Sequence, residues 1–132
     1  MRRNTVNTNG LSIFQKGASA VQFGLFLDRT FLAKDNIGTV TSSTTTITDT
    51  TTWHHVVATK SGSTSRLYID GVDRTGSVTN QTMINTNAPL ILGAKNGTSE
   101  FLPARIDEMA IYNQALSAAT VLDHYRAGAG TG

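Results

Sequence analysis

Side chains that could act on a substrate are few in this sequence and poorly spaced to act together. His54 and His55 are adjacent, and so are Asp107 and Glu108. Neighbouring side chains on a strand point to opposite faces, so without a bulge neither pair can converge on one metal ion or one scissile bond. We expect structural roles for both histidines and predict that the chain is not an enzyme.

The other reactive or aromatic candidates also have structural interpretations. Ser117 stands where a helix is predicted to begin and is expected to be its N-cap rather than a nucleophile. The sequence has no cysteine, which excludes a thiolate metal site and a cysteine nucleophile. Trp53, the single tryptophan, is predicted to pack in the core, and a role as a platform for a sugar is the alternative.

Length and composition predict a single domain over 1–132 with no nucleic-acid or membrane partner. The 39% hydrophobic content is enough for a core, while the 15% charged content is low, as in turn-rich β proteins. The net charge of +2 arises from basic and acidic residues spread along the chain, which gives no basic groove. The sequence has no apolar run long enough to span a membrane and no signal peptide at its start.

A hairpin over 53–71, WHHVVATKSGSTSRLYIDG, is the clearest predicted element. Its first strand is expected to be buried on both faces, because apolar residues occur at both parities. Asp70-Gly71 predicts a two-residue turn of the primed type, since glycine takes a positive φ at little cost. Val72 would begin the return strand.

The rest of the pattern predicts short strands and one late helix. Strands are expected at 11–15, 21–27, 31–33 and 90–93, the last of them buried, and centrally in a sheet over 104–112. The threonine-rich stretch 39–52 is expected to be one exposed strand plus a loop, with a low-complexity linker as the alternative. The helix would follow Ser117, bury Val121, Leu122 and Tyr125, and stop at Gly128, with 128–132 as a flexible tail. This order predicts an all-β fold, an antiparallel β-sandwich or jelly roll with one short C-terminal helix.

Six motifs occur in one order before that helix. They are WHHVVA (53–58), LYIDG (67–71), LILG (90–93), Phe101, IDE (106–108) and IYNQALS (111–117). This order resembles the laminin-G-like, concanavalin-A-like lectin/glucanase superfamily. The resemblance implies a domain that lacks the family's first strands, and the glucanases' E-x-D-x-x-E strand has no counterpart here. Pro103-Ala104 also stands where the family usually has glycine.

Loss of the first strands would leave unpaired main-chain groups at a sheet edge. We therefore predict a homo-oligomer formed through that exposed edge. The resemblance also raises calcium binding, but Asp28, Asp35, Asp70, Asp73 and Asp107 form no ligand loop by spacing. We predict no cofactor, with calcium at Asp70 and Asp107 as the weaker alternative.

The polar loop 95–100, KNGTSE, is the sequence's candidate for ligand contacts. It supplies Lys95, Asn96, Ser99 and Glu100 beside the predicted strand 90–93, and the alternative is a solvated hairpin loop. The resemblance implies a noncatalytic carbohydrate-binding or adhesion module, extracellular or surface-associated, with a glycan or protein ligand. The competing hypothesis is a structural or assembly domain of a larger surface or phage-tail-like protein with no small ligand.

Overall fold

The computed structural model describes residues 1–5, 11–17, 21–25, 30–34, 38–79, 82–83 and 85–130. These residues form eleven short strands and one helix. The strands are β1 (Arg2–Arg3), β2 (Leu11–Lys16), β3 (Val21–Leu25), β4 (Thr30–Lys34), β5 (Gly38–Ser43), β6 (Val56–Ser61), β7 (Thr64–Ile69), β8 (Val72–Asp73), β9 (Thr75–Val78), β10 (Leu90–Leu92) and β11 (Ala104–Arg105), and the helix is α1 (Ala118–Gly128).

The strands form antiparallel sheets, which confirms the predicted β-sandwich with one short helix. The larger sheet has six strands in the order β10-β2-β3-β4-β5-β9, and two smaller sheets, β6-β7-β8 and β1-β11, accompany it. Apolar side chains from β2 and β3 meet those of β7 in one core. Its buried members are Met1, Leu11, Ile13, Phe23, Leu25, Ile47, Leu67 and Ile69.

A bulge in β2 sets which side chains face that core. The register shifts between Ser12 and Phe14, so Ile13 is the extra residue of the strand. Ile13 is buried in the core, and Phe14 packs against the core beside its cross-strand partner Phe23. The next pair, Gln15 and Gln22, therefore lies on the opposite, outer face of the sheet.

The strand predicted within 39–52 exists as β5, but its predicted exposure is wrong. β5 lies between β4 and β9, and Val40 and Thr41 are fully buried. Thr41 Oγ1 donates to Ser65 Oγ of β7 at 2.5 Å, so the hydroxyls satisfy each other between the layers. A threonine-rich strand can therefore be buried once its hydroxyls have partners.

The strand predicted at 90–93 is β10, and its predicted burial is also wrong. β10 is the edge strand of the six-stranded sheet, and Leu92 is 53% exposed. Leu92 pairs with Phe14, which places its side chain on the core-facing side of the sheet. The second layer does not cover the sheet at this edge.

The long central strand predicted over 104–112 is wrong as well. Only Ala104–Arg105 is a strand, and it pairs with β1. Glu108 has a φ of 53°, which breaks the extended backbone, and its N–H donates to Asp107 Oδ1 at 2.9 Å. Ile111 and Tyr112 are exposed rather than buried.

The hairpin turn and the helix agree with the sequence. Ile69 pairs with Val72 across Asp70-Gly71, whose φ values of 53° and 75° are those of the predicted primed turn. Ser117 caps α1, because its Oγ accepts the Thr120 N–H at 3.1 Å. The helix ends at Gly128 and Ala129 is its C-cap residue, while 131–132 of the predicted tail lie outside the described residues.

Gly71 also allows α1 to pack on the turn. A Cβ at this position would lie 2.8 Å from Leu122 Cδ1 and 3.1 Å from Tyr125 Cδ1. Leu122 and Tyr125 belong to the predicted apolar stripe of the helix, so the turn and the helix depend on the same glycine.

Gly71→Ala should lower the free energy of unfolding by about 1–3 kcal/mol through its positive φ, and further through displacement of the helix. Gly62→Ala is the matched control, because Gly62 has a φ of 55° with nothing within 4 Å of the added Cβ. Urea unfolding of both variants measures the difference. Equal losses would show that α1 does not need the glycine.

Candidate functional site

The loop 95–100 closes on itself through main-chain hydrogen bonds. The Ser99 N–H donates to the Lys95 carbonyl at 3.1 Å, and the Lys95 N–H donates to the Ser99 carbonyl at 2.7 Å. Asn96 and Gly97 at its tip have φ values of 52° and 71°, as an Asn-Gly turn of the primed type requires. The loop therefore has a fixed shape before it meets any ligand.

Buried polar groups on the outer face of β2 and β3 hold this loop. The Asn96 N–H donates to Gln15 Oε1 at 2.6 Å, and Gln22 Nε2 donates to Glu100 Oε2 at 2.6 Å. Gln22, which is 4% exposed, also donates to Ser12 Oγ at 3.2 Å. Ser12, Gln15 and Gln22 were not predicted as functional residues, because the bulge at Ile13 determines on which face of the sheet Gln15 lies.

The structure brings two of the four predicted ligand residues into direct contact. Lys95 Nζ lies 3.3 Å from Glu100 Oε1, and both side chains are partly buried. Asn96 is engaged through its main chain, and the Asn96 and Ser99 side chains are exposed. Phe101 follows the loop with 63% of its surface exposed. The loop thus presents an ion pair, an amide, a hydroxyl and an aromatic ring.

A second arrangement surrounds His54, and we name Asp49, His54 and Asp70 the His54 cluster. His54 Nε2 lies 2.7 Å from Asp49 Oδ2, and His54 Nδ1 lies 2.7 Å from Asp70 Oδ2. The other oxygen of Asp70 accepts the His55 N–H at 3.0 Å. The cluster joins the segment after β5 to the turn between β7 and β8.

The electrostatics of the cluster favour its ionised form. Burial lowers the pKa of His54, but the hydrogen bonds and charges of Asp70 and Asp49 outweigh burial and raise it above its ordinary value. The hydrogen bond from the Thr52 N–H and, as a smaller contribution, the hydrogen bond from His54 hold the pKa of Asp49 well below its usual range. Both pKa shifts are in the direction expected when an imidazolium lies between two carboxylates.

The His54 cluster also fixes the segment that carries Trp53. Asp49 Oδ1 accepts the N–H groups of Thr51 and Thr52 at 3.0 and 2.8 Å, an Asx-type turn. The main chain of His54 exchanges two hydrogen bonds with Met1, at 2.6 and 2.7 Å. Trp53 lies between these anchors with 48% of its surface exposed. The predicted core position of Trp53 is therefore wrong, because β6 begins only at Val56.

The two predicted calcium residues, Asp70 and Asp107, both make hydrogen bonds within the protein. Calcium needs six to eight oxygen ligands, whereas both carboxylate oxygens of Asp70 already accept N–H donors from His54 and His55. Asp107 Oδ1 accepts a main-chain N–H instead. No group of three or more His, Cys, Asp or Glu side chains in the described ranges could hold a metal ion. Asp28 and Asp35 lie outside those ranges, and calcium binding stays a prediction.

Gln22→Leu should lower the free energy of unfolding by about 1–3 kcal/mol, because Glu100 would keep its charge and lose a charge-assisted hydrogen bond. Ser99→Ala is the control from the same loop, since the Ser99 hydroxyl makes only a 3.5 Å contact, and it should change stability little. Chemical denaturation compares the two variants. A neutral Gln22→Leu would mean that the loop does not depend on the outer face of the sheet.

The chain is similar to one solved structure. A crystal structure of an S-layer domain-containing protein from Clostridium thermocellum ATCC 27405 is 21% identical, with a TM-score of 0.45. The match covers 95% of this chain and 66% of that structure, so the chain spans just under two thirds of its length. No curated protein matches significantly. No helix in the described residues is long and apolar enough to cross a membrane.

Comparison with protein families gives a match over most of the chain. The Laminin_G_3 family, described as concanavalin A-like lectin/glucanases superfamily, matches residues 1–122. The matched range contains all the strands and both arrangements described above, and the antiparallel sheets with one helix are those expected of this family. The chain belongs to the Laminin_G_3 family of the concanavalin A-like lectin/glucanase superfamily.

Proposed function

We propose that the chain is a noncatalytic carbohydrate-binding module of a surface-associated protein, with Trp53 as the platform for a sugar ring. The observation that carries this proposal is the exposure of Trp53 on a segment fixed at both ends. An exposed indole keeps a large apolar surface in contact with water. Because its segment is already fixed, a ligand that covers it causes little further loss of conformational entropy. Membership of a superfamily that contains lectins supports the same conclusion.

The groups beside Trp53 have the chemistry that a sugar requires. The C–H face of a pyranose can pack on an indole, while its hydroxyls need acceptors such as carboxylates. An ionised carboxylate offers about four lone-pair directions, and the described hydrogen bonds to Asp49 and Asp70 leave some of these open. Both carboxyl groups are partly exposed to solvent.

The loop 95–100 is the second place where a ligand could bind. It lies against the six-stranded sheet, whereas Trp53 precedes the strands of β6-β7-β8. Lys95, Asn96, Ser99 and Glu100 therefore form a separate surface, with Phe101 as its exposed ring. Variants in each surface distinguish between them.

We propose a noncatalytic role, which the contacts of Glu100, Asp107 and Glu108 support. Retaining glycosidases hold two carboxyl groups about 5 Å apart, and inverting enzymes hold them about 6.5–9.5 Å apart. Glu100 is bonded to Gln22 and Lys95, whereas Asp107 and Glu108 lie on a short irregular segment after β11. None of these contacts presents one carboxyl group to another across an open cleft.

Trp53→Ala should weaken binding to a glycan found on an array by about thirtyfold or more, which corresponds to about 2 kcal/mol for the loss of a central aromatic contact. Tyr112→Ala is the matched control, because Tyr112 is another half-exposed ring. Titration calorimetry with the array's best glycan gives both affinities. Unchanged affinity for Trp53→Ala with loss for Lys95→Ala would move the site to the loop 95–100, and silence across the array would contradict the function.

We propose as a second candidate that the module assembles with a copy of itself through β10. The specific observation is that β10 is an edge strand and carries exposed Leu90 and Leu92 on the core-facing side of its sheet. An edge strand can pair antiparallel with its own copy about a two-fold axis, which would also cover the leucines. This assembly would serve a structural role without a small ligand.

Leu92→Lys should convert an assembled form to a monomer, because a lysine on an edge strand opposes strand pairing. Val72→Lys is the control, since Val72 is an exposed aliphatic residue on β8. Light scattering coupled to size exclusion gives the mass of each protein. A wild-type chain that is monomeric at every concentration would rule out assembly through β10.

A further inference from the structure

We propose that the His54 cluster is a pH-operated clamp, in which a protonated His54 holds Asp49 against the β7–β8 turn and a neutral His54 releases the segment that carries Trp53. The clamp itself does not require a ligand. Its consequence for sugar binding rests on the function proposed above.

The geometry of the ring requires a proton on each nitrogen. Both ring nitrogens of His54 lie 2.7 Å from a carboxylate oxygen. A neutral imidazole has one N–H and one lone pair, so it can donate to Asp49 or to Asp70 but not to both. The remaining lone pair would then face a negative oxygen at hydrogen-bond distance, and the contact on that side would open.

Charged and titratable groups from several elements surround His54. His54 is 14% exposed and packs between Asp49, from the segment after β5, and Asp70, from the β7–β8 turn. The Met1 amino group donates to the His54 carbonyl, away from the ring nitrogens, and burial lowers its pKa from the ordinary 8.0. The next residue, His55, stacks its ring on Tyr125. Burial and, second, the nearby His124 on α1 lower the pKa of His55. Asp107 acts on the Met1 amino group.

The connection from His54 to Trp53 runs through Asp49. Asp49 closes a ring of contacts by accepting Thr51 and Thr52 N–H groups on one oxygen and His54 on the other. The two N–H groups that Asp49 accepts belong to its own segment, whereas Asp70 is tied to His55 by its main-chain N–H and by its second oxygen. Deprotonation should therefore release the Asp49 side first, and Trp53 lies within that ring.

The direction of the pH dependence follows from the two pKa shifts. The pKa of His54 is raised by the two carboxylates against burial, so its stabilisation is complete below the ordinary histidine value of 6.5 and is lost as pH rises through the raised value. The pKa of Asp49 is lowered, so its contribution is present above 3.8 and is lost only in stronger acid. The clamp is closed between pH 3.8 and pH 6.5, the ordinary pKa values of aspartate and histidine, and it opens at higher pH.

Trp53 is the single tryptophan, so its fluorescence reports on the clamp directly. Titration of the whole chain from about pH 5 to about pH 9 should show a transition in the emission maximum above pH 6.5, where His54 loses its proton, in addition to any change from the Met1 amino group. His54→Gln should abolish this transition, and Asp49→Asn should move it to lower pH because one carboxylate no longer favours the imidazolium. His55→Gln, at the neighbouring histidine, should retain it.

A flat wild-type titration, or a His54→Gln titration with the same midpoint and amplitude as the wild type, would overturn the clamp. Should His54→Gln fail to fold, the Asp49→Asn shift decides, and an unchanged midpoint would overturn the clamp equally. Glycan affinity measured on both sides of the transition separates this inference from the proposed function. Binding that is equal at both pH values would refute regulation while leaving the function intact, whereas no binding at either pH would refute the function and leave the fluorescence result standing.

Discussion

The bridge from His54 to two carboxylates is the interaction on which this end of the molecule depends. It joins the segment after β5 to the β7–β8 turn, while the His54 main chain pairs with Met1. A buried histidine between two acids is stable only as an imidazolium, because a neutral ring would leave one carboxylate facing a lone pair. The same bridge fixes the position of Trp53, so fold and candidate function meet at one charged group.

The turn at Asp70-Gly71 shows why local signals were reliable. Its positive φ values, the paired Ile69 and Val72 and the Ser117 cap all follow from short-range stereochemistry that the sequence carries in full. Burial was harder to predict, since it depends on which strand is central and which is at an edge. Buried Thr41 and exposed Leu92 are the two clearest examples. In both, the position of the strand in its sheet determines burial, rather than the polarity of the side chain.

The candidate sites depend on contacts between residues far apart in sequence. The loop 95–100 was predicted from its polar composition, yet Gln15 and Gln22 that hold it lie about eighty residues earlier. The histidines were predicted to be structural, but the two acids that flank His54 could not be found from spacing. Trp53 was placed in the core because alternation extended the strand past its true start at Val56.

In the native protein we expect His54 to carry a proton on both ring nitrogens. Long-range ¹H–¹⁵N correlation spectra of the imidazole rings measure this directly, because the two nitrogen shifts distinguish the imidazolium from either neutral tautomer. At about pH 6, close to the unperturbed pKa of histidine, we expect both ring nitrogens of His54 to be protonated. A single neutral tautomer for His54 at that pH would contradict it.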